Sequence, residues 1–364
     1  MRTFVSQHAV LLLAICSISI PALSELTYPT GMNPRWVTAA DLNHDGKPDV
    51  VTASGTAVSV LLNRGDGRLL PHVDYALPGG LITIADINSD SHPDIVGVND
   101  GAISVLLGNG DGTFQTSLRS HYSCGMDTIG LAFGDFDGDG NLDAAIAHGP
   151  PYKFAIMAGD GAGSFQLQSC GVEKIRDLRV LDLNHDGKLD IAAVNNGPGS
   201  SHGLQVLIGN GDGSFQPPVG YGPNQSLDSF NLLDLNHDGA ADAVGITDSY
   251  LGTITSLLGK TDGTFVQTWQ QGLHTGLWAL VVSNFDQDAN LDLVVLTQPN
   301  FQLCYLPGDG SGSFVKGACS FKFSAFTTVI AADLDGDGNA DIIGVSQGPP
   351  SVLVVRGSGQ GTFH

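Results

Sequence analysis

Positive charge is scarce in this sequence: 15 of its 364 residues are Lys or Arg, against 37 Asp or Glu, for a formal charge of −22. A field of that sign repels phosphate backbones and anionic lipid, which excludes binding to nucleic acid or a membrane surface through a basic patch. Charged residues of both signs amount to only 14%, while glycine numbers 49. That combination occurs in disordered chains, but the 42% hydrophobic content is enough to build a core. After the first two dozen residues there is no stretch of helical period and no second long apolar run, so neither a helical domain nor a membrane span is expected there. No G-x-S-x-G nucleophile motif occurs.

Residues 1–24 read as a signal peptide. Arg2 gives a positive n-region, Ala9 to Ile20 an apolar h-region, and Ala22-Leu23-Ser24 places small residues at −3 and −1. Cleavage is expected after Ser24, leaving 25–364 secreted to the extracellular side, or to the periplasm or cell surface of a bacterium. An uncleaved anchor is the alternative. Cys16 stands where a lipoprotein acceptor would, but Ile15 before it is too bulky for that processing. Four cysteines remain, and an even count in an exported chain favours disulfides over free thiols. Cys304 and Cys319 flank a turn at Gly308–Ser313 almost symmetrically, which predicts a bridge across a hairpin. Cys124 and Cys170 occupy similar places in successive repeats, where a bridge would run between blades.

Those repeats decide the fold. The segments DLNHDGKPD (41–49), DINSDSHPD (86–94), DFDGDGNLD (135–143), DLNHDGKLD (182–190), DLNHDGAAD (234–242), NFDQDANLD (284–292) and DLDGDGNAD (333–341) share one pattern. Their starts lie 45, 49, 47, 52, 50 and 49 residues apart. A second punctuation follows each by about twenty residues, as in LLGNGDGTF (106–114), LIGNGDGSF (207–215), LLGKTDGTF (257–265) and VRGSGQGTF (355–363). Adjacent Gly with Asn or Asp tolerates positive φ, as a tight hairpin requires. Between the marks lie short β-branched stretches such as Ile103-Ser104-Val105-Leu106-Leu107, which read as strands. Each repeat therefore holds four antiparallel strands: one enters the aspartate loop, one leaves it, and two flank the Gly-rich turn. A four-stranded unit of this length is a propeller blade. The expected fold is all-β, a seven-bladed β-propeller filling 25–364. The last repeat stops where its fourth strand should begin, and Leu26-Thr27-Tyr28 resembles Val73-Asp74-Tyr75, so the N-terminal strand is expected to complete the last blade.

The aspartate loops suit calcium, which takes about six to eight hard oxygens that a tight loop supplies from alternating side chains and a carbonyl. In the first loop these are Asp41, Asn43, Asp45 and Asp49, with the carbonyl of Lys47. The same reading gives Asp86, Asn88, Asp90, His92 and Asp94; Asp135, Asp137, Asp139, Asn141 and Asp143; and Asp182, Asn184, Asp186, Lys188 and Asp190. It continues through Asp234, Asn236, Asp238, Ala240 and Asp242; Asn284, Asp286, Asp288, Asn290 and Asp292; and Asp333, Asp335, Asp337, Asn339 and Asp341. The residue at position seven of each loop serves through its carbonyl. An EF-hand is excluded, because strands flank the loops and position twelve of the first is Thr52 rather than Glu. Ser91 and Ala289 replace the glycine at position six of loops two and six, and Asn284 replaces the first aspartate of loop six. Those two loops are expected to bind most weakly. The loops hold 23 of the 37 acidic residues, a crowding that costs self-repulsion unless a cation is present. Seven structural Ca2+ would take the charge from −22 to −8. A loop held only by its own Asx-turn hydrogen bonds is the alternative.

The pairing of D-x-[ND]-x-D-G-x-x-D with L-G-x-G-D-G-x-F, recurring along the mature chain, resembles the FG-GAP/VCBS repeat family. That family includes the propeller of integrin α-subunits and several fungal and bacterial sugar-binding propellers. The resemblance implies a calcium-stabilised propeller serving adhesion or ligand binding, and names no ligand.

Strand order places the aspartate loops and Gly-rich turns on one face and the more variable connections on the other, where recognition is expected. That second face should display His148, Tyr152, His202, Tyr221, Tyr250, His274 and Phe301, with a long polar loop at 195–203. Aromatic rings with amides suit a glycan; a cell-surface protein is the other partner class. The function expected is a non-catalytic binding or adhesion module. A polysaccharide lyase or glycoside hydrolase on the same scaffold is the alternative, and would need a constellation beyond aspartates committed to metal. Arg64-Gly65-Asp66 spells an adhesion tripeptide but falls in the recurring turn, and Gly259-Lys260-Thr261 lacks the earlier glycine of a phosphate loop. Asn224-Gln225-Ser226 is a glycosylation sequon in a eukaryotic host.

Overall fold

A computed structural model describes residues 26–99, 101–125, 127–150, 152–171, 175–195, 203–222, 227, 229–298, 302–317, 319–322 and 326–364. The signal-peptide segment, His202, Phe301 and the sequon lie outside the described residues.

Among the described residues, seven four-stranded antiparallel sheets form in chain order. Strand β1 (Leu26–Pro29) precedes the first blade, which is β2 (Trp36–Ala40), β3 (Asp49–Ala53), β4 (Gly55–Leu61) and β5 (Val73–Gly79). The second is β6 (Leu81–Ala85), β7 (Asp94–Asn99), β8 (Ala102–Leu106) and β9 (Leu118–His121). The third is β10 (Thr128–Gly134), β11 (Asp143–His148), β12 (Phe154–Gly159) and β13 (Phe165–Gly171). The fourth is β14 (Ile175–Leu181), β15 (Asp190–Asn195), β16 (Leu204–Leu207) and β17 (Val219–Tyr221). The fifth is β18 (Ser229–Leu233), β19 (Asp242–Asp248), β20 (Thr253–Gly259) and β21 (Phe265–Gly272). The sixth is β22 (Gly276–Ser283), β23 (Asp292–Gln298), β24 (Gln302–Leu306) and β25 (Cys319–Lys322). The seventh takes β26 (Thr328–Ala332), β27 (Asp341–Gln347) and β28 (Pro350–Val355), and its fourth strand is β1. Leu26 pairs with Val354 and Tyr28 with Val352, so the expected closure by the N-terminal strand is met.

The first strands of successive blades touch one another around the ring, and those of the second to fifth blades border an open cavity of about 570 Å3, lined by Thr83, Leu131, Phe133, Arg179, Leu181 and Leu232 among others. The second strand of each blade has neighbours on both faces, which is why stretches such as Val50-Val51 and Ile95-Val96 are uninterrupted apolar runs and wholly buried. The fourth strands, at the rim, alternate or are exposed, as in Phe165–Gly171. The core is accordingly divided into seven clusters, each shared by two neighbouring blades. The one that closes the ring joins Val37, Val50 and Leu61 to Ile343, Val352 and Val354.

Two devices stitch adjacent blades. In five blades the aromatic residue ending the Gly-rich turn meets a ring from the preceding blade. Phe114 packs edge-on to Tyr75, Phe215 to Phe136, Phe314 to Trp269 and Phe363 to Phe285, with centroids 5.3–5.6 Å apart. In the second, fourth and seventh blades the second turn glycine also donates its N–H to the second residue of the preceding aspartate loop: Gly112 to Leu42 O, Gly213 to Phe136 O and Gly361 to Phe285 O. At the closure this bond is replaced. Asn63 Nδ2 donates to Leu334 O at 2.7 Å and to Pro48 O at 3.0 Å. Both expected disulfides form: Cys304–Cys319 joins register partners on β24 and β25, and Cys124–Cys170 ties the connector after β9 to β13.

Candidate metal centres

Each aspartate loop begins at the end of a blade's first strand and ends in the first residue of its second. The reversal depends on two residues in the left-handed region, at positions four and six. In the first loop these are His44 (φ 59°) and Gly46 (φ 82°). The sequence marks only the second of them, by its glycine. Loops two and six place Ser91 (φ 69°) and Ala289 (φ 84°) there, a strained choice for a residue with a Cβ.

The nine positions divide the work. The first carboxylate accepts backbone N–H groups from positions five and six: Asp41 takes Asp45 N at 3.1 Å and Gly46 N at 2.8 Å. The third and fifth positions accept N–H groups two residues on, as Asn43 does from Asp45 and Asp45 from Lys47, both at 3.0 Å. The ninth is different. Asp49, Asp94, Asp143, Asp190, Asp242, Asp292 and Asp341 are at most 1% exposed. In each, Oδ2 accepts the N–H of the loop's second residue and Oδ1 an N–H from the Gly-rich turn. Asp49 takes Leu42 N at 3.0 Å and Asn63 N at 2.7 Å, and Asp341 takes Leu334 N and Gly357 N. This aspartate fastens the loop to the turn, a role that sequence reasoning missed because the turn lies 14 residues away in the first blade.

Burial pushes the carboxyls of Asp49, Asp242 and Asp341 up to about 6. The two N–H donors pull each one down, and the carboxylates earlier in the same loop push it up again. In three loops the carboxylates converge, with oxygens within 4.8 Å of one another: Asp135, Asp137 and Asp143; Asp286, Asp288 and Asp292; and Asp333, Asp335 and Asp341. These clusters could hold a metal ion. Two have a further partner: Tyr305 donates its hydroxyl to Asp286 Oδ2 at 2.7 Å, and Arg356 lies 3.1 Å from Asp335. Loops one, two, four and five carry an asparagine, Asn43, Asn88, Asn184 or Asn236, at the position where loops three, six and seven have Asp137, Asp286 and Asp335.

A sequence profile of the FG-GAP-like repeat matches residues 41–96, 86–146, 182–245 and 284–344. The chain belongs to the FG-GAP-like repeat family. Each match starts at position one of an aspartate loop and runs through the next, so together they take in all seven loops of this FG-GAP chain. No curated protein sequence matches it. Among solved structures, it is similar to an Agrocybe aegerita lectin described as recognising non-reducing terminal N-acetylglucosamine, at 19% identity, TM-score 0.59, and 90% and 92% coverage of the two chains. It is similar also to BBS1N, solved in complex with ARL6DN, at 10% identity and TM-score 0.59, covering 90% of this chain and 93% of that one. At these identities the likeness is one of fold.

On the opposite face of this FG-GAP propeller, Tyr250 is 91% exposed and His274 is exposed, while Tyr152 is half-buried. His148 departs from expectation: it is 0% exposed, its ring 5.6 Å from that of Tyr122 and against Gly125, where any Cβ would collide with it. The end of β11 is a buried central strand, which sequence position alone did not reveal. Tyr221 likewise packs between blades, 5.8 Å from Phe265. Trp278, absent from the sequence reading, is 52% exposed because it is the extra residue of a β-bulge between Leu277 and Ala279. Arg64-Gly65-Asp66 lies in the first blade's turn, with Arg64 N bonded to Arg68 O.

Proposed function

We propose that this protein is a secreted, calcium-binding FG-GAP propeller that acts as a non-catalytic binding module, taking a glycan on the face opposite its aspartate loops. The observation that carries the reading is the division of the two faces: one repeats a single oxygen-rich loop in every blade, and the other presents exposed Tyr250 on a connection and exposed Trp278 at a strand bulge. The donor set suits calcium, being hard carboxylate, amide and carbonyl oxygen. Asp135, Asp137 and Asp143 would hold an ion with Asp139 and the carbonyl of Asn141. The corresponding positions of the other six loops would do the same. A bound cation would supply charge neutralisation, and the chain's own part is to fix the loop to the turn through the ninth aspartate. On the other face, Tyr250 and Trp278 offer stacking surfaces of the kind that sugars use. The two disulfides agree with export, and the fold shared with a sugar-recognising lectin agrees with the glycan.

The test is a glycan array probed with the mature protein in millimolar CaCl2 and again in EGTA. Retention of a glycan without turnover supports the proposal. Release of a shortened or unsaturated sugar would replace it with a lyase or hydrolase, and an empty array would turn the search to a protein partner.

A further inference from the structure

Two imidazoles on neighbouring blades meet beside the aspartate loops. His44 stands at position four of the first loop and His92 at position seven of the second. His44 Nε2 lies 3.1 Å from His92 Nδ1, with ring centroids 5.3 Å apart. His44 is exposed and His92 half-buried, so the gap between them is open to solvent on one side. The backbone of both residues is set by their loops. His44 is held in the left-handed region by the loop reversal. The His92 N–H donates to Asp90 Oδ1 at 2.8 Å, and its ring lies over Gly110, where a Cβ would come within 2.5 Å of it.

We propose that His44 and His92 form a binding site for a divalent transition-metal ion of the zinc type, bridging the first and second blades. Two imidazole nitrogens about 2.0–2.1 Å from a tetrahedral zinc sit about 3.3 Å apart, close to the separation already present. Imidazole binds a metal in its neutral form, so a hydrogen on either of the facing nitrogens moves, by way of solvent, to the other nitrogen of the same ring as the metal enters, and no net proton is lost. Imidazole nitrogen is a ligand for zinc, copper and nickel and a poor one for calcium, so this site is chemically distinct from the oxygen loops beside it. Water fills the remaining positions, and the chain's charge of −22 draws cations towards the site. The structure offers its own comparison. The analogous contact between loops six and seven is an amide pair, Gln287 Nε2 to Asn339 Oδ1 at 2.6 Å, which has no such affinity. His185 holds position four of the fourth loop, but position seven of the fifth is Ala240.

The test is calorimetric titration of ZnCl2 into the full mature protein, with CaCl2 in millimolar excess to occupy the oxygen loops. One equivalent of zinc should bind. His44→Gln and His92→Gln should each weaken it at least tenfold, and His185→Gln should leave it unchanged. Copper-loaded protein should show two coordinated nitrogens by electron paramagnetic resonance. Unchanged melting curves in the zinc-free variants will establish that they fold. Absence of that equivalent, its survival in either His44→Gln or His92→Gln, or its equal loss in His185→Gln would overturn the proposal.

Discussion

Removing divalent ions should make the propeller's stability depend on pH in an unusual direction. Asp49, Asp242 and Asp341 have carboxyls pushed from 3.8 to about 6 in the folded chain. A carboxyl raised on folding favours the native state below its unfolded value, and that advantage is lost as pH climbs through the folded value. The window is therefore pH 4 to 6, with stability falling as pH rises. One unit is about 1.4 kcal/mol, so each residue contributes about 3 kcal/mol and the three, acting independently, about 9 kcal/mol. At about 2.1 cal/mol/K per residue over the folded length, that is a drop in melting temperature of about 12 °C. Carboxyls shifted the other way, such as Asp160 and Asp309, act outside this window: the stability they give is lost only as pH falls below the ordinary carboxylate value. The assay is differential scanning calorimetry of protein stripped with EDTA and desalted, at half-unit steps from pH 4 to 6.5, repeated in millimolar CaCl2. Calcium requires the ionised form, so its presence should flatten or reverse the slope. A stripped protein whose melting temperature is level or rises across the window would refute the reasoning.

Two further outcomes test the ring itself. Asn63→Ala removes the side-chain donor to Leu334 O and leaves that buried carbonyl without it, so urea denaturation should show a loss of about 1–3 kcal/mol. Reducing the disulfides should destabilise in proportion to the chain each one closes: about 4 kcal/mol for Cys124–Cys170, 46 residues apart, and about 3 kcal/mol for Cys304–Cys319, 15 apart. Single-bridge Cys→Ser variants measured by the same denaturation separate the two.

The sequence carried the blade count, the strand order and the closure because each depends on local signals repeated seven times: an Asp-rich reversal, a Gly-rich turn and the apolar runs between them. The hairpin disulfide was legible for the same reason, since Cys304 and Cys319 flank one turn. What was not legible lies between blades. The packing of Phe314 on Trp269 joins residues 45 apart in sequence, and no periodicity within a blade predicts it. The ninth aspartate read as one more oxygen donor, whereas its burial and its two backbone bonds depend on a turn folding back over it. His148 looked like a face residue because it ends a strand, and only the neighbouring connector, with Gly125 against its ring, covers it.

The pairing of Leu26–Pro29 with the seventh blade sets an order of events in the living cell. Leu26–Pro29 must wait, unpartnered, until Pro350–Val355 has been made. Six sheets can form as they emerge, but the circle locks only when these two strands meet. A bulky tag fused directly before Leu26 would therefore be felt 328 residues along the chain, at the seam with Val354, where the circle closes, rather than at one loose end.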